Sequence, residues 1–248
     1  MIDMNSKKHF INIADLYEEL RPVYTPVVDK LAEVLELKEN DVVVDYGCGP
    51  AHDLKYLSDK YKIKPIGIDK SPEMCRVASE RNEIENVING DNQSFVSKLN
   101  FDKIYFKFVM HHISNPLQFM DDIITCMKIG NSFAIVTMLP ENVESYIVLR
   151  YFPALRTILE SEAKRQLEII EHIQKNPSII FNIIEYDVNE EIFDETLIDK
   201  IQKNYSSFVS LLSEQEKKNG IEKIRSDINN NYKNIHLTKG IICYGRKY

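Results

Sequence analysis

The sequence predicts an α/β protein built on a doubly wound, largely parallel sheet, and three observations predict it. Between residues 41 and 138, short runs of β-branched and aromatic residues alternate with segments of helical spacing. The first run ends in the turn Gly47-Cys48-Gly49, and the second leads into an acid, Asp69. A chain of 248 residues, 44% of them hydrophobic, can bury a core without disulfide or metal support.

Five strands are predicted in this region. They span residues 41–46, 63–68, 87–89, 101–109 and 132–138. A helix is predicted over residues 52–60 because Leu54 and Leu57 have the spacing of one helix face. Ser71 can cap the next helix, with Pro72 at its first position. A further helix is predicted over residues 116–128, with Gly130 as its C-terminal cap.

Helical segments flank this region on both sides. The predicted elements are two helices over residues 10–37 broken at 22–26, helix over 143–175 interrupted at Pro153, a strand over 179–188, helix over 195–230 and a strand over 235–246. Such additions commonly cover the carboxyl edge of an open sheet, where ligands bind. We therefore predict a single domain over residues 1–248. Its parts are lid helices at 10–37, a ligand-binding core at 41–139, a helical cap with one core strand at 140–234 and a C-terminal strand at 235–248.

Composition and charge argue against several classes of function. The formal net charge of −7 disfavours a nucleic-acid partner. No apolar run reaches a membrane-spanning length, and the first ten residues lack the apolar core of a signal peptide. The four cysteines are scattered and form no C-x-x-C pair, so a metal site is not expected. Reduced thiols and the missing leader together predict a cytoplasmic protein.

The glycine turn and the acid after it carry the chemistry. Asp45 precedes the turn by two residues, and Asp69 lies 20 residues after Gly49. Glycines at this position allow a ligand to approach the backbone closely, and an acid at this distance can accept both ribose hydroxyls of a nucleoside. A nicotinamide dinucleotide site would have a third glycine where this chain has His52, which disfavours that ligand.

The D-x-G-x-G pattern at residues 45–49 resembles motif I of class I S-adenosylmethionine (SAM)-dependent methyltransferases. Ala51 stands where that family often has a third glycine. The segments at 67–74, 90–92 and 101–112 resemble later motifs in order, and residues 16–26 are similar to the N-terminal segment of ubiquinone-biosynthesis-like methyltransferases. The resemblance implies a Rossmann-like sheet of seven strands with the last strand antiparallel, and SAM as cofactor with S-adenosylhomocysteine (SAH) as product.

The resemblance, read beside the chemistry of SAM, gives a set of candidate cofactor-binding residues. They are Tyr17, Arg21, Asp45, Tyr46, Gly47, Cys48, Gly49, Asp69, Lys70, Met74, Asp91, Asn92 and Lys107. Asp69 is expected at the ribose, the Asp91 carboxylate at the adenine amino group with Asn92 offering its backbone N–H, and Met74 against the adenine ring. Tyr17 and Arg21 are expected at the methionyl end of SAM, where Asp45 would attract the ammonium and Arg21 the carboxylate. Lys107 stands out as a charge among apolar neighbours, as either a ligand contact or a snorkelling side chain.

Methyl transfer is an in-line displacement, in which alignment supplies most of the rate and a base is needed only for a nucleophile that loses a proton. His112 is the candidate base, ahead of His111, at the end of the fourth strand. No D/N-P-P-Y/F signature follows that strand, which weakens a nucleobase or protein-glutamine acceptor. We therefore expect a small-molecule acceptor. The alternatives are a macromolecular acceptor, an inactive SAM-binding scaffold and a nicotinamide-dependent oxidoreductase, while the oligomeric state is left open.

Overall fold

A computed structural model describes residues 14–90, 99–191, 195–230 and 235–248. Seven strands form one sheet in the order β3-β2-β1-β4-β5-β7-β6. The strands are β1 Val42–Tyr46, β2 Lys64–Asp69, β3 Val87–Asn89, β4 Lys103–Lys107, β5 Ser132–Thr137, β6 Ile179–Glu191 and β7 Ile235–Lys247. Neighbours among β1 to β5 are parallel, and β7 pairs with β5 antiparallel. The predicted seven-stranded α/β sheet and its antiparallel last strand are therefore confirmed.

Nine α-helices connect and flank these strands in the described part of the chain. They are α1 Tyr17–Leu20, α2 Thr25–Leu35, α3 His52–Tyr61, α4 Pro72–Glu80, α5 Pro116–Cys126, α6 Val148–Tyr151, α7 Arg156–Gln174, α8 Glu195–Gln202 and α9 Glu214–Asn229. Every residue of β5 is buried, which requires cover on both faces of the sheet, as a doubly wound fold provides.

Chain order reverses direction between β1 and β4, which lie side by side at the centre of the sheet. In open α/β sheets, ligands bind outside the carboxyl ends of the strands at such a point. The glycine turn follows β1 directly, and residues 108–112 follow β4. The fold therefore brings the two segments singled out from the sequence to one place.

Two predicted details of the helices are wrong. Helix α5 ends at Cys126, because Met127 already has an extended backbone with ψ of 139°. Gly130 instead makes the turn into β5 at φ of +90°, and its N–H donates to the carbonyl of Lys247. At the N-terminus the chain leaves helix at Arg21, and Pro26 lies inside the first turn of α2 rather than in the break.

The chain divides into two compact units. The first comprises residues up to Thr137 with Glu168–Ile184 and Ile241–Tyr248, and contains the glycine turn. The second comprises Met138–Leu167 and Glu185–Gly240. It has its own apolar cluster, which includes Tyr151. Asp227 accepts hydrogen bonds from Arg150 and Tyr151. None of the helices described is both long enough and apolar enough to cross a membrane.

The predicted N-cap of α4 is confirmed and gives a stability test. The Ser71 hydroxyl accepts a hydrogen bond from the N–H of Met74 at 3.3 Å. We expect Ser71→Ala to lower the free energy of unfolding by about 1 kcal/mol, because one N–H at the helix start loses its partner. Thermal unfolding should record a midpoint about 2–4 °C lower, while Ser71→Thr keeps the wild-type midpoint. An unchanged midpoint in Ser71→Ala would contradict the role of the cap.

Candidate functional site

The two glycines of the turn differ in their surroundings: Gly47 packs against Val109, and Gly49 faces open space. Gly47 has φ of +80°, and a Cβ there would lie 2.3 Å from a methyl carbon of Val109. Gly49 has φ of +54°, and a Cβ there would meet nothing within 4 Å. The turn is fixed against β2, since the N–H groups of Gly47 and Cys48 both donate to the carbonyl of Ile68. Gly49 therefore presents backbone to a space that a ligand can enter.

Asp69 closes the turn from the end of β2. Its Oδ2 accepts a hydrogen bond from the N–H of Gly49 at 2.8 Å, and its Oδ1 accepts one from the N–H of Ser71 at 2.8 Å. Burial raises the pKa of the Asp69 carboxyl, and these two backbone N–H groups oppose the rise. Each carboxylate oxygen keeps a second lone pair, so the group can still accept hydroxyl donors from a ribose.

Asp45 is buried beneath the turn, with 3% of its surface exposed. Its Oδ2 accepts a hydrogen bond from the Tyr105 hydroxyl at 2.8 Å. Burial, followed by the nearby charge of Asp53, raises the pKa of the Asp45 carboxyl well above its usual value. Burial and the same carboxyl also raise the pKa of Tyr105. Asp45 is thus a buried acid whose ionisation a cationic ligand would favour.

Lys107 forms an ion pair with Asp53, in the first turn of α3. The ammonium lies 2.5 Å from Oδ2 of Asp53, and the two side chains are 22% and 15% exposed. The pair explains how a lysine sits at the end of a central strand. Contact between Lys107 and the cofactor stays a prediction from the sequence.

Residues 14–21 lie beside the start of α3. The ring centroid of Tyr17 is 6.3 Å from that of His52, which follows the glycine turn. The guanidinium of Arg21 donates to the Tyr17 hydroxyl at 3.4 Å and lies over the Tyr17 ring. The structure therefore brings Tyr17 and Arg21 to the same region as the turn.

Three other predicted site residues have buried side chains. The ring of Tyr46 packs between Phe106 and Phe119, at centroid distances of 5.7 and 4.8 Å. Met74 is 1% exposed in the core, and its expected contact with an adenine ring stays a prediction. Burial and the carboxyls of Asp69 and Asp45 raise the pKa of the Cys48 thiol well above its usual value. Tyr46 and Cys48 can meet a ligand only through their backbone.

The two histidines occupy a short 3-10 helix, Met110–His112, after β4, with ring centroids 4.0 Å apart. Phe108, just before them, has φ of +52°, a conformation that non-glycine residues rarely adopt and that clusters at functional sites.

Lys70 lies between Asp69 and Ser71, half-buried. Asp91 and Asn92 lie outside the described residues.

Sequence reasoning missed three residues that shape the site. Asp53 pairs with Lys107, Tyr105 binds Asp45, and Val109 packs on Gly47. A signal for one of them was present: Tyr105 and Lys107 lie two apart on β4, so they share a face of the strand. Their partners depend on the register between β1 and β4, which pairs Asp45 with Tyr105 across 60 residues.

Comparison with known proteins decides the class. A family model described as a methyltransferase domain matches residues 17–179, well over half of the chain. The chain belongs to this methyltransferase family. The match takes in β1 to β5 and the whole glycine turn, together with Tyr17 and Arg21.

A curated relative matches part of the chain, and solved structures share its fold. The chain is 29% identical over 128 residues to a trans-aconitate 2-methyltransferase of Rhodopseudomonas palustris, a region covering 50% of this chain and 49% of that protein. The match thus spans about half the length of that curated relative. The fold is similar to that of a putative methyltransferase from an antibiotic biosynthesis pathway of Anabaena variabilis. The TM-score is 0.70 at 16% identity, covering 91% of this chain and 98% of the other.

A second solved structure is the plantazolicin methyltransferase BpumL in complex with a pentazolic desmethylPZN analogue and SAH. Its TM-score is 0.59 at 15% identity, with 95% of this chain and 90% of that chain covered. At these identities, the two structures support the fold alone.

Proposed function

We propose that this methyltransferase-family chain transfers a methyl group from SAM to a small-molecule acceptor. The observation that carries the proposal is the open space at Gly49, closed on one side by the Asp69 carboxylate. An acid at the end of β2, beside a glycine turn after β1, fits an adenosine ribose. SAH in the BpumL structure and the methyltransferase names of the relatives add support.

The residues of the site fit the parts of SAM. Asp69 accepts the ribose hydroxyls, and the backbone of the glycine turn receives the amino-acid end. Asp45 and Asp53 provide negative charge for the ammonium and sulfonium, which Lys107 partly offsets. Arg21, held next to Tyr17, supplies a cation for the carboxylate. Asp91 and Asn92 stay predictions for the adenine.

The reaction needs little from the protein beyond alignment. SAM, when bound, supplies an electrophilic methyl group on a sulfonium. The protein holds the acceptor's lone pair in line with the methyl carbon, and the electrons of the broken carbon–sulfur bond pass to sulfur. For an O–H or N–H acceptor, His112 accepts the proton that is lost. A carbon acceptor also loses a proton, whereas a tertiary amine loses none and would leave His112 without this role.

Net charge and the curated relatives favour a small-molecule acceptor. The net charge of −7 disfavours nucleic acid, and the trans-aconitate relatives carry the name of a small-molecule acceptor. Residues 140–234, proposed as the cap of one methyltransferase domain, would then contribute to acceptor choice. We place this chemistry in the cytoplasm. Turnover by a macromolecule alone, or SAM binding with no turnover, would favour the corresponding alternative function.

Calorimetric titration with SAM, SAH and NAD tests the cofactor. We expect SAM and SAH to bind and NAD to give no heat. Asp69→Ala should weaken SAM binding about 10- to 100-fold, since hydrogen bonds to a charged group contribute about 1.5–3 kcal/mol. NAD binding without SAM binding would overturn the proposal, as would wild-type SAM affinity in Asp69→Ala.

Asp102→Ala is the matched control. The Asp102 carboxylate also accepts a backbone N–H, from Val42 at 2.8 Å, but at the amino end of β1. Asp102→Ala therefore loses a comparable hydrogen bond to a backbone N–H, but away from the candidate site. We expect Asp102→Ala to keep wild-type SAM affinity, so equal loss in both variants would point to general destabilisation rather than a ribose contact.

A further inference from the structure

The N-terminal strap, defined as residues 14–21, is tied to α4 by one acid and two arginines. Oδ1 of Asp15 lies 2.8 Å from a guanidinium nitrogen of Arg76 and 2.7 Å from one of Arg81. Arg81 also donates to the backbone carbonyl of Asp15 at 2.9 Å. Arg76 is held in turn by Glu80, one turn further along α4. A single carboxylate thus joins the strap to two positions on one helix.

The same strap carries Tyr17 and Arg21 to the start of α3. Asp15 and Tyr17 are two residues apart, and the buried side chains of Ala14 and Leu20 anchor the ends of the strap. A short 3-10 helix and the single helical turn of α1 make up its regular structure. Short helices of this kind are marginal in water without tertiary support. The contacts of Asp15 therefore add to those that hold Tyr17 and Arg21 in place.

We propose that Asp15 is a positioning residue whose ion pairs with Arg76 and Arg81 latch the strap, so that Tyr17 and Arg21 slow the release of cofactor. The proposal rests on the proposed function, because the cofactor is the ligand retained. Asp15 precedes the residues that the family model matches, so the latch is a feature read from this chain rather than from the family. Hydrogen bonding by Arg76 also lowers the pKa of the Asp15 carboxyl, which keeps the latch charged at neutral pH.

The two ion pairs of Asp15 are exposed, so the latch should be sensitive to salt. The Asp15 side chain is 58% exposed, and its partners are 42% and 49% exposed. Exposed pairs are individually weak and are screened by salt. Cofactor release from the wild-type protein should therefore become faster as salt rises, and this dependence should be much smaller once Asp15 is neutral.

A single indole reports on the strap directly. The chain contains no tryptophan, and Leu16 is 40% exposed, so Leu16→Trp places one fluorophore next to Asp15. In this background we would compare Asp15→Asn, Asp15→Glu and Asp29→Asn. Asp29 is the matched control, because its carboxylate also joins two elements, through Tyr56 and Lys60, without contacting the strap.

Stopped-flow release of SAH and indole anisotropy of the ligand-free protein are the two readouts. We expect Asp15→Asn to release SAH about three- to tenfold faster and to lower the anisotropy, since two weak pairs are lost together. Asp15→Glu should restore most of both properties, and Asp29→Asn should change neither. Unchanged anisotropy in Asp15→Asn would overturn the latch, and lower anisotropy with unchanged SAH release would overturn its effect on the cofactor.

The anisotropy measurement needs no ligand. If the wild-type protein bound no SAH, the proposed function would fail on that result. Anisotropy and its salt dependence would still decide whether Asp15 holds the strap.

Discussion

Replacing Gly49 by alanine is expected to weaken SAM binding on the order of 100-fold while the protein stays folded. The added methyl group would stand in the open space that the ligand is proposed to enter, and overpacking of this kind costs about 1–3 kcal/mol. Alanine at φ of +54° should cost about 1–2 kcal/mol of stability, but no neighbouring atom blocks the added methyl group, so the fold should survive. Calorimetry with SAM, alongside a urea unfolding curve, would measure both effects.

Gly47→Ala serves as the comparison, because we expect it to destabilise the fold. A Cβ at Gly47 would lie 2.3 Å from Val109 at φ of +80°. Strain in the left-handed region and overpacking together should lower the free energy of unfolding by roughly 2–5 kcal/mol. Gly47→Ala/Val109→Ala should regain part of this loss, because the closest methyl carbon is removed.

The interpretation of Gly49 depends on this contrast. If Gly49→Ala bound SAM as the wild-type protein does, the open space would not be the ligand's, and the site would have to be sought elsewhere. If Gly49→Ala lost as much stability as Gly47→Ala, weaker binding would follow from unfolding and would say nothing about contact with SAM.

The glycine turn and Asp69 could be predicted from the sequence because both are local features. Strand, turn and acid follow one another between residues 42 and 69, and each has a pattern of its own. The Ser71 cap was predictable for the same reason. By contrast, Gly130 was misassigned because its partner, the carbonyl of Lys247, comes from the far end of the chain.

The charged groups around the turn could not be predicted because they depend on long-range register. β1 pairs with β4 after two intervening strands, and only that register places Tyr105 next to Asp45.

The role of Met74 is difficult to predict for a related reason. Helical spacing places it on the inner face of α4, but spacing cannot distinguish a core position from one that lines a ligand site, and the structure buries it.

The buried Asp45 should give ligand-free stability and SAM affinity opposite dependences on pH. Its folded-state pKa is raised above the unfolded value near 4, first by burial and then by Asp53. The stability it contributes is therefore present below the unfolded pKa and is lost as pH rises through the folded pKa. The unfolding temperature of the ligand-free protein should fall over that interval, which differential scanning calorimetry would record.

Affinity for SAM should rise over the same interval. The facing charged and titratable groups are Asp53 on α3, Tyr105 and Lys107 on β4, Asp69 on β2 and Cys48 in the turn. An ammonium group binds the ionised carboxylate, so the Asp45 proton has to leave. We expect SAM affinity to increase by about tenfold per pH unit below that pKa. Calorimetric titration at a series of pH values, in buffers of different ionisation enthalpy, would measure the released proton.

Asp45→Asn separates the two effects, since the amide keeps an acceptor for the Tyr105 hydroxyl but carries no charge. The variant should unfold at a higher temperature than the wild-type protein at neutral pH, bind SAM more weakly, and lose both pH dependences. Asp102→Asn, which changes an exposed carboxylate at the amino end of β1, should keep both. A gain in stability with unchanged SAM affinity would mean that Asp45 shapes the turn but does not meet the ammonium. A loss of stability would mean that the carboxylate is ionised and satisfied without the ligand, contrary to its burial among Asp53 and Asp69.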